Sequence, residues 1–173
     1  MRIRTCAVLL FVSAFFVAGA RPALAQSAGS TEVGVSYSFL QMYDYKAPGG
    51  VAVDFARTLR PMGGGSLGVV GELGVNHFSD DLLVDGENQL SLMGGVRLAA
   101  PKRGQIRPFG QVLMGLLSSF DEHDFAIQPG GGVNMTLRPN TDLRVQVDFP
   151  FDFAASKTFT GFRFNVGVAF WLK

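Results

Sequence analysis

His77-Phe78-Ser79 sets an imidazole and a hydroxyl two positions apart, hence on one face of an extended strand. Glu87 follows ten residues after the histidine. A hydroxyl becomes a nucleophile when a base lies in hydrogen-bond reach and a carboxylate orients that base. His77, Ser79 and Glu87 are therefore the candidate catalytic set. The same residues also suit a polar strand end opening into a solvated loop, because so short a motif recurs by chance. Two acidic runs could supply oxygen ligands to Ca²⁺ or Mg²⁺. They are Asp80, Asp81, Asp85 and Glu87, and Asp121, Glu122, His123 and Asp124. Neither matches an EF-hand loop, and solvated acidic loops are the plainer reading of both. No cofactor is expected.

A second set of charges has a different character. Asp54, Glu72 and Asp148, with Arg97, Arg144 and Arg163, each stand among Gly, Ser, Ala or Asn at alternate positions. Three acids against three bases suit a closed interior, where charges persist only in pairs. Asp148 and Arg163 should face each other if the last hairpin centres near 155–156. Ordinary rim charges are the alternative for that pair.

The elements that must position these groups read as eight strands of period two. They cover roughly 32–42, 50–60, 66–77, 89–99, 107–118, 125–138, 142–149 and 162–173. The last is the clearest: Phe162, Phe164, Val166, Val168, Phe170 and Leu172 alternate with Arg163, Asn165, Gly167 and Ala169. The fifth is apolar on both faces and its parity stays open. Pro129-Gly-Gly-Gly132 inside the sixth predicts a bulge or bend. Connectors 43–49, 78–88, 119–124 and 150–158 are longer and mostly acidic. Pro61–Gly65, Pro101–Gly104 and Pro139–Thr141 are tight, with Arg60, Lys102, Arg103, Arg107 and Arg138 in or beside them.

Residues 1–25 read as a secretory signal peptide: Arg2 and Arg4, an apolar stretch from Ala7 to Ala20, then Ala23-Leu24-Ala25. Residues 26–173 then form one domain. The only cysteine, Cys6, leaves with the leader, which excludes disulfide or thiolate chemistry afterwards. Without Arg2, Arg4 and Arg21, 12 basic and 14 acidic residues remain, a balance that offers nothing to nucleic acid.

Alternation alone does not separate a membrane barrel from a soluble lipocalin-like one. The non-apolar face decides, because a water-facing one should be crowded with Lys, Glu and Asp. The expected fold is all-β: an eight-stranded antiparallel up-and-down transmembrane β-barrel. Its bulky face meets lipid and its small, charge-neutral face fills the lumen. Aromatic girdles are expected at the two rims. Tyr43, Tyr45, Phe78, Phe120, Phe149, Phe151 and Phe159 would mark one, and Phe109, Phe170 and Trp171 the other.

Asn165-x-Gly167-x-x-Phe170-x-Leu172 resembles the C-terminal signal read by the outer-membrane assembly machinery, although the chain ends Leu172-Lys173 where many such chains end on Phe or Trp. Phe125–Val133, Leu137–Asn140 and Leu143–Asp148 resemble the penultimate hairpin of small OmpA/OmpX-like outer-membrane β-barrel domains. That resemblance implies a monomer in the Gram-negative outer membrane, with lipid and lipopolysaccharide around it and the barrel-assembly machinery as its partner during biogenesis. It implies no single activity. His77-x-Ser79 resembles the motif of PagL-type lipid A deacylases, but here Asp80 follows the serine and the motif lies far from the C-terminus. The leading functional reading is a sealed structural or surface-interaction barrel. A narrow pore, a PagL-like deacylase and a soluble periplasmic binder are the alternatives.

Overall fold

Val, Leu and Phe alternate with Gly, Ser, Asn and charged residues through nearly the whole chain, and an extended backbone throws these two sets to opposite sides. The computed structural model describes residues 29–42, 45–78, 87–119, 122–154 and 157–172. Residues 1–25, expected to be the signal peptide, lie outside these. The described strands are β1 (Thr31–Met42), β2 (Tyr45–Met62), β3 (Gly65–Phe78), β4 (Glu87–Ala99) and β5 (Ile106–Ser119). They continue with β6 (Glu122–Arg138), β7 (Thr141–Asp148), β8 (Phe151–Ala154) and β9 (Lys157–Leu172).

From β1 to β7 each strand pairs antiparallel with the next, β7 pairs with β9, and β1 pairs with β9 from Thr31↔Leu172 to Met42↔Gly161, which closes the ring. β8 prolongs β7 past Pro150 and pairs with β6 and β9, so the two form one stave of an eight-stave barrel. Among the described residues no strand is left as an open edge of the sheet. Val53, Phe55, Leu73, Leu92, Met114 and Phe164 are among the exposed residues of the outer face. Arg144, Arg163, Asp148, Asn76 and Asn165 are among the most deeply buried side chains. The barrel is thus polar within and apolar without, the reverse of a water-soluble protein. Val145, Phe164 and Val168 all lie on the outward parity.

Several sequence expectations are corrected. The sixth strand has no bulge at Pro129–Gly132: its register with β5 runs unbroken from Ile106↔Met135 to Ser119↔Glu122. The glycines there serve space instead. Side chains at Gly130 and Gly132 would collide with the Asp148 carboxylate and with the β7 backbone at Val145, respectively. Register shifts fall at Ser38/Leu40, Thr58/Arg60 and Thr136/Arg138. Much of 43–49, 119–124 and 150–158 is strand, because inward–outward alternation continues through it: Phe151 and Phe153 are exposed while Asp152 between them is buried. The girdle assignment also needs revision. Phe78 and Phe109 are buried inside the barrel, and Trp171 shares their inward parity, donating from Nε1 to Asp142 Oδ2 at 2.7 Å. Phe159, half-buried, packs against the interior cluster that includes Leu40, Met42 and Phe78, whereas Phe149, Phe151 and Phe170 do face outward. The structure describes neither Tyr43, Phe120 nor the Tyr45 side chain.

At the end that carries Thr31 and Leu172, the turns are tight. Gly63 and Gly64 take φ of 56° and 88°, the left-handed pair that a two-residue hairpin turn requires. Arg103 and Ile106 exchange backbone hydrogen bonds of 2.8 and 3.0 Å around Gly104. This is the turn end below; the opposite end is the loop end.

Candidate functional site

The strands bring all six charged residues expected in the lumen to the inside; Glu32, Asp142 and Asp152 are buried there too, and Glu32 joins the ion pairs. The parity of Gly34, Ser36 and Ser38 carries back to Glu32 and was the signal for it. Four carboxylates therefore meet three guanidiniums, where three of each were expected.

The charges sort into two clusters. In the first, Arg97 Nη1 lies 2.6 Å from Glu32 Oε1 and its Nη2 lies 3.1 Å from Asp54 Oδ2. Arg144 Nη1 lies 2.7 Å from Asp54 Oδ2, its Nη2 binds Glu32 Oε1, and its Nε donates to Asn134 Oδ1 at 2.9 Å. The Phe109 ring packs against both cations, with guanidinium carbons 4.8 Å and 5.1 Å from its centroid. Side chains from β1, β2, β4, β5, β6 and β7 thus converge at one level.

In the second cluster, Arg163 Nη2 lies 2.5 Å from Glu72 Oε1 and 3.1 Å from Asp148 Oδ2. Asp148 stands in direct register with Arg163. Its Oδ2 also accepts from Gln146 Nε2 at 2.8 Å and Asn165 Nδ2 at 3.0 Å. Gln111 joins the clusters: its Oε1 accepts from Arg97 Nε at 2.9 Å, and its Nε2 donates to Asp148 Oδ1 at 3.5 Å. The fifth strand, of open parity in the sequence, therefore faces inward with Phe109, Gln111, Leu113 and Leu117.

Small residues make this packing possible. A methyl group at Gly34 would meet the Asp54 carboxylate and Arg144, and one at Gly74 would meet the Ser91 hydroxyl. Toward the loop end, Ser38 Oγ, Asn76 Oδ1, Ser91 Oγ, Gln128 Nε2 and Asn165 Oδ1 are buried and have no hydrogen-bond partner among the described residues. Buried polar atoms of this kind are ordinarily met by water. Toward the turn end, a small cavity of about 30 Å³ opens between Glu32, Thr58, Ser66, Arg97, Arg107 and Trp171. The charged residues of both clusters are buried, and Glu32 and Arg97 of the first line this cavity.

His77 is exposed on the outward face of β3, and its Nδ1 lies 3.0 Å from Asn88 Oδ1 on β4. Ser79 and the Glu87 side chain lie outside the described residues, as do Asp80, Asp81, Asp85, Asp121 and the Glu122 side chain. Among the described residues no group of three His, Cys, Asp or Glu could hold a metal ion. Of the assembly-signal residues, Asn165 is buried against Asp148, Gly167 packs on the β1 backbone near Val35 and Ser36, and Phe170 and Leu172 are exposed on the outer face.

No protein-family model and no curated protein matches the chain. Solved structures do. Neisserial surface protein A aligns over 82% of this chain and 95% of its own, with a TM-score of 0.60 and 10% identity. The N-terminal β-barrel domain of Pseudomonas aeruginosa OprF aligns over 85% and 100%, with a TM-score of 0.55 and 15% identity. The outer membrane enzyme PagL aligns over 79% and 98%, with a TM-score of 0.53 and 13% identity. The fold is the eight-stranded antiparallel β-barrel that these outer-membrane proteins share.

Proposed function

We propose that this chain is an integral, monomeric barrel of the Gram-negative outer membrane whose role is structural or surface-interacting and not catalytic. The observation that carries this is the pairing of an apolar outer face with a lumen occluded by Arg97, Arg144, Arg163 and their carboxylates. An outward band of Leu, Val and Phe needs acyl chains as its solvent. A lumen filled across its section leaves no path for bulk transport, which argues against the narrow pore. Lipid and lipopolysaccharide surround the barrel, and Asn165, Gly167, Phe170 and Leu172 form the signal by which the barrel-assembly machinery recognises it. The test is membrane fractionation with gel mobility before and after heating. The reading expects a heat-modifiable band in the outer-membrane fraction; a protein extracted in aqueous buffer would point to the soluble binder and end it.

A lipid A deacylase is the second reading, favoured by one observation. His77 stands exposed on the outer face toward the loop end, held at Nδ1 by Asn88, where an acyl chain would arrive. Ser79→Ala should then abolish fatty-acid release from lipopolysaccharide. An inactive wild type ends this reading and leaves the first in place.

A further inference from the structure

Among the described residues, exposed arginines gather at one end of the barrel. Arg57, Arg60, Arg103 and Arg138 are exposed at or near the turn end, with Lys102 and Arg107 half-buried beside them. The described carboxylates at that end, Glu32 and Asp142, are buried and engaged with Arg97 and Trp171. Among the described residues, Arg57, Arg60, Lys102 and Arg138 take no part in the ion pairs described above, whereas Arg107 stacks on the Trp171 ring at 5.3 Å.

Their placement says what they meet. Arg57 lies on the outward parity of β2, after the exposed Phe55 and before the exposed Leu59. A guanidinium there is tolerated only where its stem lies along apolar surface and its head reaches the polar interface. Arg60 and Arg138 flank the β2–β3 and β6–β7 turns, each next to an exposed leucine, Leu59 and Leu137. Lys102 lies in the β4–β5 connection. These cations stand at three separate turns around the circumference. One small soluble anion could not touch them together, whereas a ring of lipid head groups could.

We infer that this basic rim binds the phosphates of anionic phospholipids in the leaflet at the turn end. The inference rests on the membrane reading above and adds a ligand class to it. Guanidinium engages phosphate oxygens bidentately, which favours arginine for this task.

The experiment refolds the protein into phosphatidylcholine vesicles with and without phosphatidylglycerol and counts lipids retained on the detergent-released barrel by native mass spectrometry. The wild type should retain phosphatidylglycerol over phosphatidylcholine by about fivefold or more, the order expected for each cation near an anionic surface, and the preference should fall with salt. Arg57→Gln/Arg60→Gln/Arg138→Gln should bring retention close to parity while its gel mobility stays heat-modifiable. Should the triple variant not refold, Arg60→Gln and Arg138→Gln singly should each reduce the preference. Equal retention by the wild type, an unchanged preference in the variants, or displacement of phosphatidylglycerol by millimolar inorganic phosphate would overturn the inference. Failure of the membrane reading looks different: neither protein would enter vesicles or shift on heating.

Discussion

Arg144 on β7 spans the lumen to Asp54 on β2, its Nη1 2.7 Å from Oδ2 and 2.8 Å from Oδ1. Strands that are not neighbours in the ring are thereby tied across its middle. The bond network holds the wall together from inside, where a soluble barrel would use hydrocarbon.

Removing one partner leaves the others charged and buried. Arg144→Ala strands Asp54 and Glu32 with Arg97 alone, and breaking a buried pair in this way costs about 3–5 kcal/mol. Urea unfolding of the refolded barrel should show a midpoint lowered accordingly. A midpoint within error of wild type would mean that the carboxylates are solvated and the lumen is open.

Gly34 and Gly130 are required for room, not for backbone freedom. Gly34→Val and Gly130→Val drive a side chain into the Asp54 and Asp148 carboxylates respectively, and overpacking costs about 1–3 kcal/mol before any ion pair is lost. Both should refold poorly, read as loss of the heat-modifiable band. Gly71 faces outward, and a methyl there would meet nothing closer than a carbonyl 4.0 Å away. Gly71→Ala should therefore refold as wild type.

Phe109 fills the space between Arg97 and Arg144. Planar bilayers carrying the wild type should be electrically silent. Phe109→Ala with Arg97→Ala removes two sides of the first cluster and should produce discrete conductance steps. Steps in the wild type would favour the pore; silence in the double variant would place the seal at the Arg163 cluster instead.

The fold was legible because alternation survives in seven of the eight predicted strands, and eight antiparallel staves with one apolar face have few ways to close. The opposition of Asp148 and Arg163 was legible for the same reason, since it follows from a hairpin centre near 155–156 and two parities. The fifth strand resisted because Phe109, Leu113 and Leu117 are as apolar as Val112, Met114 and Leu116. Period two carries information only when the faces differ in polarity. Gln111, which links the two clusters, was hidden by that same uniformity. Phe78 and Trp171 were misplaced because an aromatic residue near a rim suits the interface and the lumen mouth equally well; only register separates them. Which carboxylates meet Arg97 and Arg144, and that Glu72 also meets Arg163, was not legible, because those pairings depend on strand tilt and on contacts across the ring.

The central claim is that the bulky face meets acyl chains. Nitroxide labels placed by Leu73→Cys and Leu92→Cys, with Cys6 absent from the refolded chain, measure it directly. Leu73 and Leu92 are register partners on the outer face and are 54% and 55% exposed. In phospholipid vesicles both labels should collide freely with dissolved oxygen and hardly at all with a water-soluble nickel chelate. Ready collision of both labels with the nickel chelate would place that face in water and contradict the account.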